Sequence, residues 1–200
     1  MLDNYRIIQK YKGPAVQGNW EYWLTHPERD HNTYQVKYAE QLKQRRQLFR
    51  NKDNNAMLEY MTQHTDLIKD SFTLFHGCTY PCHGNSDYQP HPCECYLFPR
   101  DLNTVTRGLF GSPQNLTTPH FLFGHTHIPG FFTYSLSSMK NMWQHFTLSM
   151  QNRPISYGDS TLRFGINPGT AGIKTRRFPR TALLLDTTRK NFTYLVDTEA

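Results

Sequence analysis

Three times along this chain an apolar run stops at a glycine that neighbours a histidine or an asparagine: Val16-Gln17-Gly18-Asn19, Leu74-Phe75-His76-Gly77 and Leu122-Phe123-Gly124-His125-Thr126-His127. Each reads as a strand that delivers a metal-capable side chain at its carboxyl end. In open α/β sheets, ligands bind beyond those ends, where neighbouring loops converge. The repeated junction predicts a sheet protein that gathers Asn19, His76, His125 and His127 around one point. In an extended segment residues i and i+2 face the same side, so His125 and His127 are expected to project together while Thr126 turns away. Their Cα atoms would lie about 6.6 Å apart, which suits one imidazole on each of two metals about 3.5 to 4 Å apart. Taken alone, a His-Thr-His triplet is more often a turn whose rings make ordinary hydrogen bonds.

The bulk properties fit a single domain. A chain of 200 residues with 37% hydrophobic content is long enough to bury a real core. The start, MLDNYRIIQK, lacks the apolar stretch of a secretory signal, and no apolar run approaches the roughly 20 residues that a membrane helix needs. A cytoplasmic protein without a membrane partner is expected. In that compartment the four cysteines read as thiols or metal ligands rather than disulfides. The net charge of +6 is spread along the chain, so nucleic acid is not the expected partner.

The pattern predicts a helix over 2–11 closed by Gly13-Pro14, a short strand at Ala15 to Gln17, a solvated amphipathic helix from Tyr34 to Arg50 and another helix from Ala56 to Thr65. Phe72 to Phe75 and His120 to Phe123 read as strands, and Arg163 to Gly169 as a strand entering a turn. Thr181 to Asp186 and Phe192 to Val196 form an expected hairpin. Residues 131–160 show no clear period and are expected to be an insertion, with a short helix near Met139 to Met150.

The ordered set Gly18-Asn19-Trp20-Glu21, His76-Gly77, Gly124-His125-Thr126-His127 and Asn167-Pro168-Gly169 resembles the calcineurin-like metallophosphoesterases. In that family a GNH(D/E) motif, a single-His motif, a GHTH segment and an NPGS-like turn follow one another, ahead of terminal strands that resemble RTALLLD and FTYLVD. The order agrees over residues 15–197. The resemblance implies a mixed α/β fold, a two-layer β-sandwich flanked by helices, with two divalent metals (Mn, Fe or Zn) at the strand ends. It implies hydrolysis of a phosphomonoester or phosphodiester by a metal-activated hydroxide. By matching position, Asn19, His76 and His125 would bind one metal and His127 the other. No residue is assigned a catalytic proton-transfer role.

Two departures qualify the match. The family's D-x-H and G-D-x-x-D motifs, whose aspartates hold and bridge the metals, do not occur before Gly18. The expectation is an amino-terminally incomplete domain lacking its first strands, completed by an upstream segment or prone to self-association along an unpaired edge. Two dications at about 4 Å repel by about 16 kcal/mol at an effective dielectric of 20, and all four matched ligands are neutral. One metal is expected to bind well and the second poorly. Trp20 stands where most of the family has a histidine, and Glu21 is expected to be a surface or capping carboxylate.

Other groups are weighed the same way. Cys78, Cys82, Cys93 and Cys95 form a candidate secondary zinc site, although their spacing is not that of standard knuckles. Arg176 and Arg177, with Arg180, follow the Asn-Pro-Gly turn as candidate contacts to a substrate phosphate. The basic run from Lys43 to Lys52 reads as the outer side of a helix. The competing function is a binding module: a phosphoesterase fold without turnover, or a zinc-stabilised nucleic-acid binder built on the cysteine loop.

Overall fold

The computed structural model describes residues 10, 15–27, 33–50, 52–63, 66–78, 91–101, 109–110, 118–172 and 178–197. The helix expected over 2–11 lies outside them apart from Lys10, and so do Cys82, Arg176 and Arg177.

Among the described residues, three helices with full bounds come first: α1 (Asn19–Thr25), α2 (Thr33–Leu48) and α3 (Lys52–Met61). Nine strands follow: β1 (Asp66–Lys69), β2 (Phe72–Phe75), β3 (His120–Leu122), β4 (Gly130–Ser135), β5 (Asn141–His145), β6 (Ile155–Ser156), β7 (Leu162–Asn167), β8 (Thr181–Asp186) and β9 (Asn191–Val196). They build a six-stranded sheet in the order β1-β2-β3-β7-β4-β5 and a three-stranded sheet in the order β6-β9-β8. Strands β2, β3 and β7 run parallel, while β1, β4 and β5 join antiparallel. All three parallel strands therefore end on the same edge, and the loops leaving them carry His76, the His-Thr-His segment and Asn167-Pro168-Gly169.

The inner strands of the larger sheet are buried on both faces, as a parallel core requires. On one face Phe72, Phe131, Phe164 and Ile166 meet Phe192 and Tyr194 of the smaller sheet. On the other, Phe75, Phe121, Phe123 and Phe132 pack with Leu97 and Leu109. Period-2 alternation sends Phe131 and Phe132 to opposite sides, and both are buried. Gly165 lies opposite Phe132 in the ladder: a Cβ there would collide with the Phe132 ring and lie 2.6 Å from the Phe121 ring. A third cluster, Tyr22, Trp23, Leu24, Leu42, Phe49, Met57 and Leu58, joins the helices.

Several expectations change. Ala15 to Gln17 is not a strand: it runs without a ladder partner into the extended Gly18 that starts α1 (φ −92, ψ 169). The segment 131–160 is built into the sheets as β4, β5 and β6, and the helix expected near Met139 to Met150 is replaced by β5 and a single 3₁₀ turn at Leu148–Met150. Its aromatic residues lack a period because β4 is buried on both faces, with only Thr133 and Ser135 less so. Strand β1 was not expected. It forms a hairpin with β2 through Asp70, whose φ of 52 gives the tight turn.

The basic face of α2 is not uniformly solvated. Arg46 donates from Nη2 to the Trp23 carbonyl (2.6 Å) and from Nε to the Leu24 carbonyl (3.2 Å), satisfying carbonyls in the last turn of α1. Arg45 stacks on the Trp20 ring at 4.2 Å. Among the described residues, no helix is long and apolar enough to cross a membrane.

Candidate metal centre

The parallel ladder continues one residue past β2 and β3. The Gly124 amide donates to the His76 carbonyl (2.8 Å) and the Phe123 amide to the Ile166 carbonyl (3.0 Å). This pairing sets His76 beside His125, while α1 brings Asn19 to the same point. His76 Nε2 lies 3.1 Å from Asn19 Oδ1 and 3.2 Å from His125 Nδ1. Asn19 and His125 are each 8% exposed, so water has little access to the cluster.

Three atoms that can each offer a lone pair thus face one another. A neutral tautomer that shares one ring N–H with its neighbours satisfies this arrangement, and so does a metal that takes the place of that hydrogen. A tetrahedral metal with bonds of 2.0 to 2.1 Å spaces its nitrogen donors by about 3.3 Å, so both measured separations fit one ligand shell. The other ring nitrogen of His125, Nε2, is buried with no hydrogen-bond partner. Among the described residues no group of three or more His, Cys, Asp or Glu side chains is placed to hold a metal. The trio differs from such a group in having an amide as its third member.

Electrostatics keep the rings neutral. Burial pushes the His76 pKa down to about 3, and the charges that His125 and His127 would carry add to this. Burial pushes His125 down to about 4, against the opposing pull of the Glu94 backbone and with a further push from His127. Burial also lowers His127, which is half-buried. Neutral imidazole is the form that ligates metal.

The His-Thr-His backbone corrects the sequence expectation. Strand β3 stops at Leu122, and both His125 (φ 62) and His127 (φ 56) adopt left-handed conformations. The two rings do not share a face through extended alternation; the backbone turns at each. Such conformations cost about 1 to 3 kcal/mol each in a non-glycine residue and gather at functional sites.

One neighbour, Tyr96, escaped the sequence reading, and Asn167 and Glu21 take up contacts that it did not assign to them. Tyr96 stacks on the His125 ring at 3.8 Å while 43% exposed, covering the cluster from one side. Asn167 reaches back to Gly124 and Thr126. Glu21 is half-buried with its carboxylate against Gly18, near His76: a Cβ at Gly18 would touch Glu21 Oε2 and lie 3.4 Å from His76 Cε1. Burial raises the Glu21 pKa, opposed by the backbone amides of Glu21 and Gly18 and by the Arg45 charge. The signal for Tyr96 was faint, since Tyr-Leu-Phe-Pro reads as a plain loop.

The remaining candidates are dispersed. Cys78 and Cys95 pack in the aromatic cluster beneath the sheet, whereas Cys93 packs with the helices and its Sγ lies 3.0 Å from His91 Nδ1. Cys95 is disulfide-bonded, which contradicts the expectation of thiols or metal ligands throughout and removes its sulfur as a thiolate donor. Arg180 pairs with Asp197 at 3.4 Å. Trp20 packs against Trp23 and Tyr38 under Arg45, so the residue that replaces the expected histidine is held in the helix interface.

Two stacked sheets flanked by helices form a fold of metallophosphoesterase type. The crystal structure of a metallophosphoesterase from Sphaerobacter thermophilus is similar to this chain, with a TM-score of 0.66 over 96% of this chain and 70% of that one. The identity is 16%, so the likeness shows the fold. No protein-family model matches the sequence, and no curated protein matches it.

Proposed function

We propose that this chain is a metal-dependent phosphoesterase acting on a phosphomonoester or phosphodiester. Asn19, His76 and His125 hold one divalent metal, and His127 faces a second. The observation that carries the reading is the convergence on His76 Nε2, with Asn19 Oδ1 at 3.1 Å and His125 Nδ1 at 3.2 Å. The fold likeness supports it.

Two imidazoles and an amide oxygen suit Mn, Fe or Zn better than Mg. When bound, such a metal supplies Lewis-acid polarisation of a phosphoryl oxygen and lowers the pKa of water. The chain's own contribution is a dry, preorganised donor set: burial keeps both imidazoles unprotonated, and Tyr96 covers His125. Trp20 has no proton to give at neutral pH, so turnover proceeds without the general-acid help usually worth about 100 to 10,000-fold.

The test is metal content by mass spectrometry on the 200-residue chain equilibrated with excess Mn. One metal per chain is expected, because the donor set carries no charge to offset a second dication. His125→Ala should lose it and His127→Ala should keep it. Equal metal in wild type and His125→Ala refutes the reading, and two tightly held metals refute the stoichiometry. Metal lost only in Cys93→Ser moves the assignment to the cysteine loop. Hydrolysis of bis-p-nitrophenyl phosphate is expected to be slow and to vanish in His125→Ala.

A further inference from the structure

Asn167 is fully buried, at 0% exposure, and its side chain is satisfied by a turn more than 40 residues away. Its Nδ2 donates to the Gly124 carbonyl (3.2 Å) and to Thr126 Oγ1 (2.9 Å), and its Oδ1 accepts from the Gly169 amide (2.9 Å). Its own carbonyl accepts from the Tyr194 hydroxyl at 3.0 Å, which fixes it to the second sheet. Thr126 Oγ1 in turn accepts from the Ile128 amide at 3.4 Å. These bonds touch the residue before His125, the residue between the two histidines, and the residue after His127.

We infer that Asn167 and Thr126 form a positioning latch that holds the Gly124 to Ile128 turn in its left-handed backbone and thereby aims both imidazoles. A strained conformation persists only where its surroundings over-determine it. Two left-handed histidines flanking one threonine need such support on both sides, and the Asn167 amide supplies it from the end of β7. The middle residue of His-Thr-His is then not a spacer: its hydroxyl is the point the latch grips. Asn167 touches no reacting group in this account. The consequence for metal binding rests on the proposed function, whereas the aiming of the rings does not.

The experiment records imidazole nitrogen NMR spectra of the full chain for wild type, Asn167→Asp, Thr126→Val and Thr126→Ser, with circular dichroism to confirm folding. Zinc affinity is measured in parallel by competition with a chromophoric chelator, with His125→Ala included. Asn167→Asp keeps the acceptor for Gly169 but sets a carboxylate oxygen against the Gly124 carbonyl. Thr126→Val keeps the shape and loses the hydroxyl, and Thr126→Ser restores it. The His125 and His127 signals should move in Asn167→Asp and Thr126→Val, stay in place in Thr126→Ser, and leave His120 at the far end of β3 unchanged in all. Zinc affinity should fall about 10 to 100-fold in the first two, the range for lost outer-shell support of a ligand.

Unchanged His125 and His127 signals in a folded variant overturn the latch, whatever the affinity does. If Asn167→Asp fails to fold, Thr126→Val decides, because it leaves the Asn167 bonds to Gly124 and Gly169 intact. Wild type that binds no zinc, or His125→Ala that binds as well as wild type, refutes the metal reading alone, and the ring signals still decide the latch.

Discussion

Replacing Gly77 by alanine and, separately, Gly124 by alanine tests why glycine stands beside each histidine. The two positions look alike along the chain, and neither needs a left-handed backbone. Their surroundings differ. A Cβ at Gly77 would collide with the Pro92 carbonyl oxygen, lie 2.6 Å from the Cys95 carbonyl oxygen and lie 3.0 Å from the Cys93 carbonyl carbon. All three are backbone atoms of the turn that carries Tyr96 across His125, so nothing there can rotate away. A Cβ at Gly124 would meet the His76 carbonyl oxygen at 3.5 Å and His76 Nδ1 at 3.8 Å, which is ordinary contact. Overpacking costs about 1 to 3 kcal/mol, and rigid backbone neighbours put Gly77→Ala in the upper part of that range. Both variants regain about 0.4 to 1 kcal/mol from a less flexible unfolded chain, so Gly124→Ala should be neutral or slightly stabilised. The two should separate by about 2 to 3 kcal/mol, or about 5 to 10 °C in melting temperature for a domain of this size. Urea titrations with a common m-value would measure the gap. Gly77→Ala as stable as Gly124→Ala would refute the claim that close backbone approach fixes this glycine. Metal affinity should follow, falling in Gly77→Ala because the clash lies one residue from His76.

A second prediction concerns acid. His120 is buried at 6% exposure, accepts from the Phe164 amide at Nδ1 (3.1 Å), and has its pKa pushed down by burial from 6.5 to about 4, with Arg163 and Lys190 adding to this. Between those values the unfolded chain binds the proton and the folded chain does not. The contribution is therefore fully present above pH 6.5 and is lost as pH falls toward 4, by about 3 kcal/mol in all. His120→Asn retains an acceptor for Phe164, so its stability profile should lose that part of the pH dependence; a profile parallel to wild type would disprove it. Third, Arg46→Ala removes the donors to the Trp23 and Leu24 carbonyls and should cost about 1.5 to 3 kcal/mol. A change below the error of a urea titration would mean that water replaces the guanidinium without loss.

What the sequence determined by itself was local: where apolar runs of strand length end, and which donor types stand at their ends. Phe72–Phe75, Thr181–Asp186 and, apart from Asn191, the strand to Val196 were legible as apolar runs of strand length stopped by turn residues. The donor types of Asn19, His76 and His125 were legible for the same reason. Their convergence was an expectation whose distances the sequence could not set, because His76 is 57 residues from Asn19 and 49 from His125, and the parallel pairing of β2 and β3 with the placement of α1 fixes them. The His-Thr-His turn defeated extended reasoning because its left-handed backbone is held by Asn167, 41 residues from Thr126. Strand β4 was hidden because a strand buried on both faces loses the alternation that marks a half-exposed one. Arg45 and Arg46 looked solvated until α1 packed under α2 and offered them a ring and two carbonyls. Periodicity is written into neighbouring residues, whereas the gathering of neutral donors, the glycine that cannot change and the arginine that caps a helix depend on which distant segments pack together.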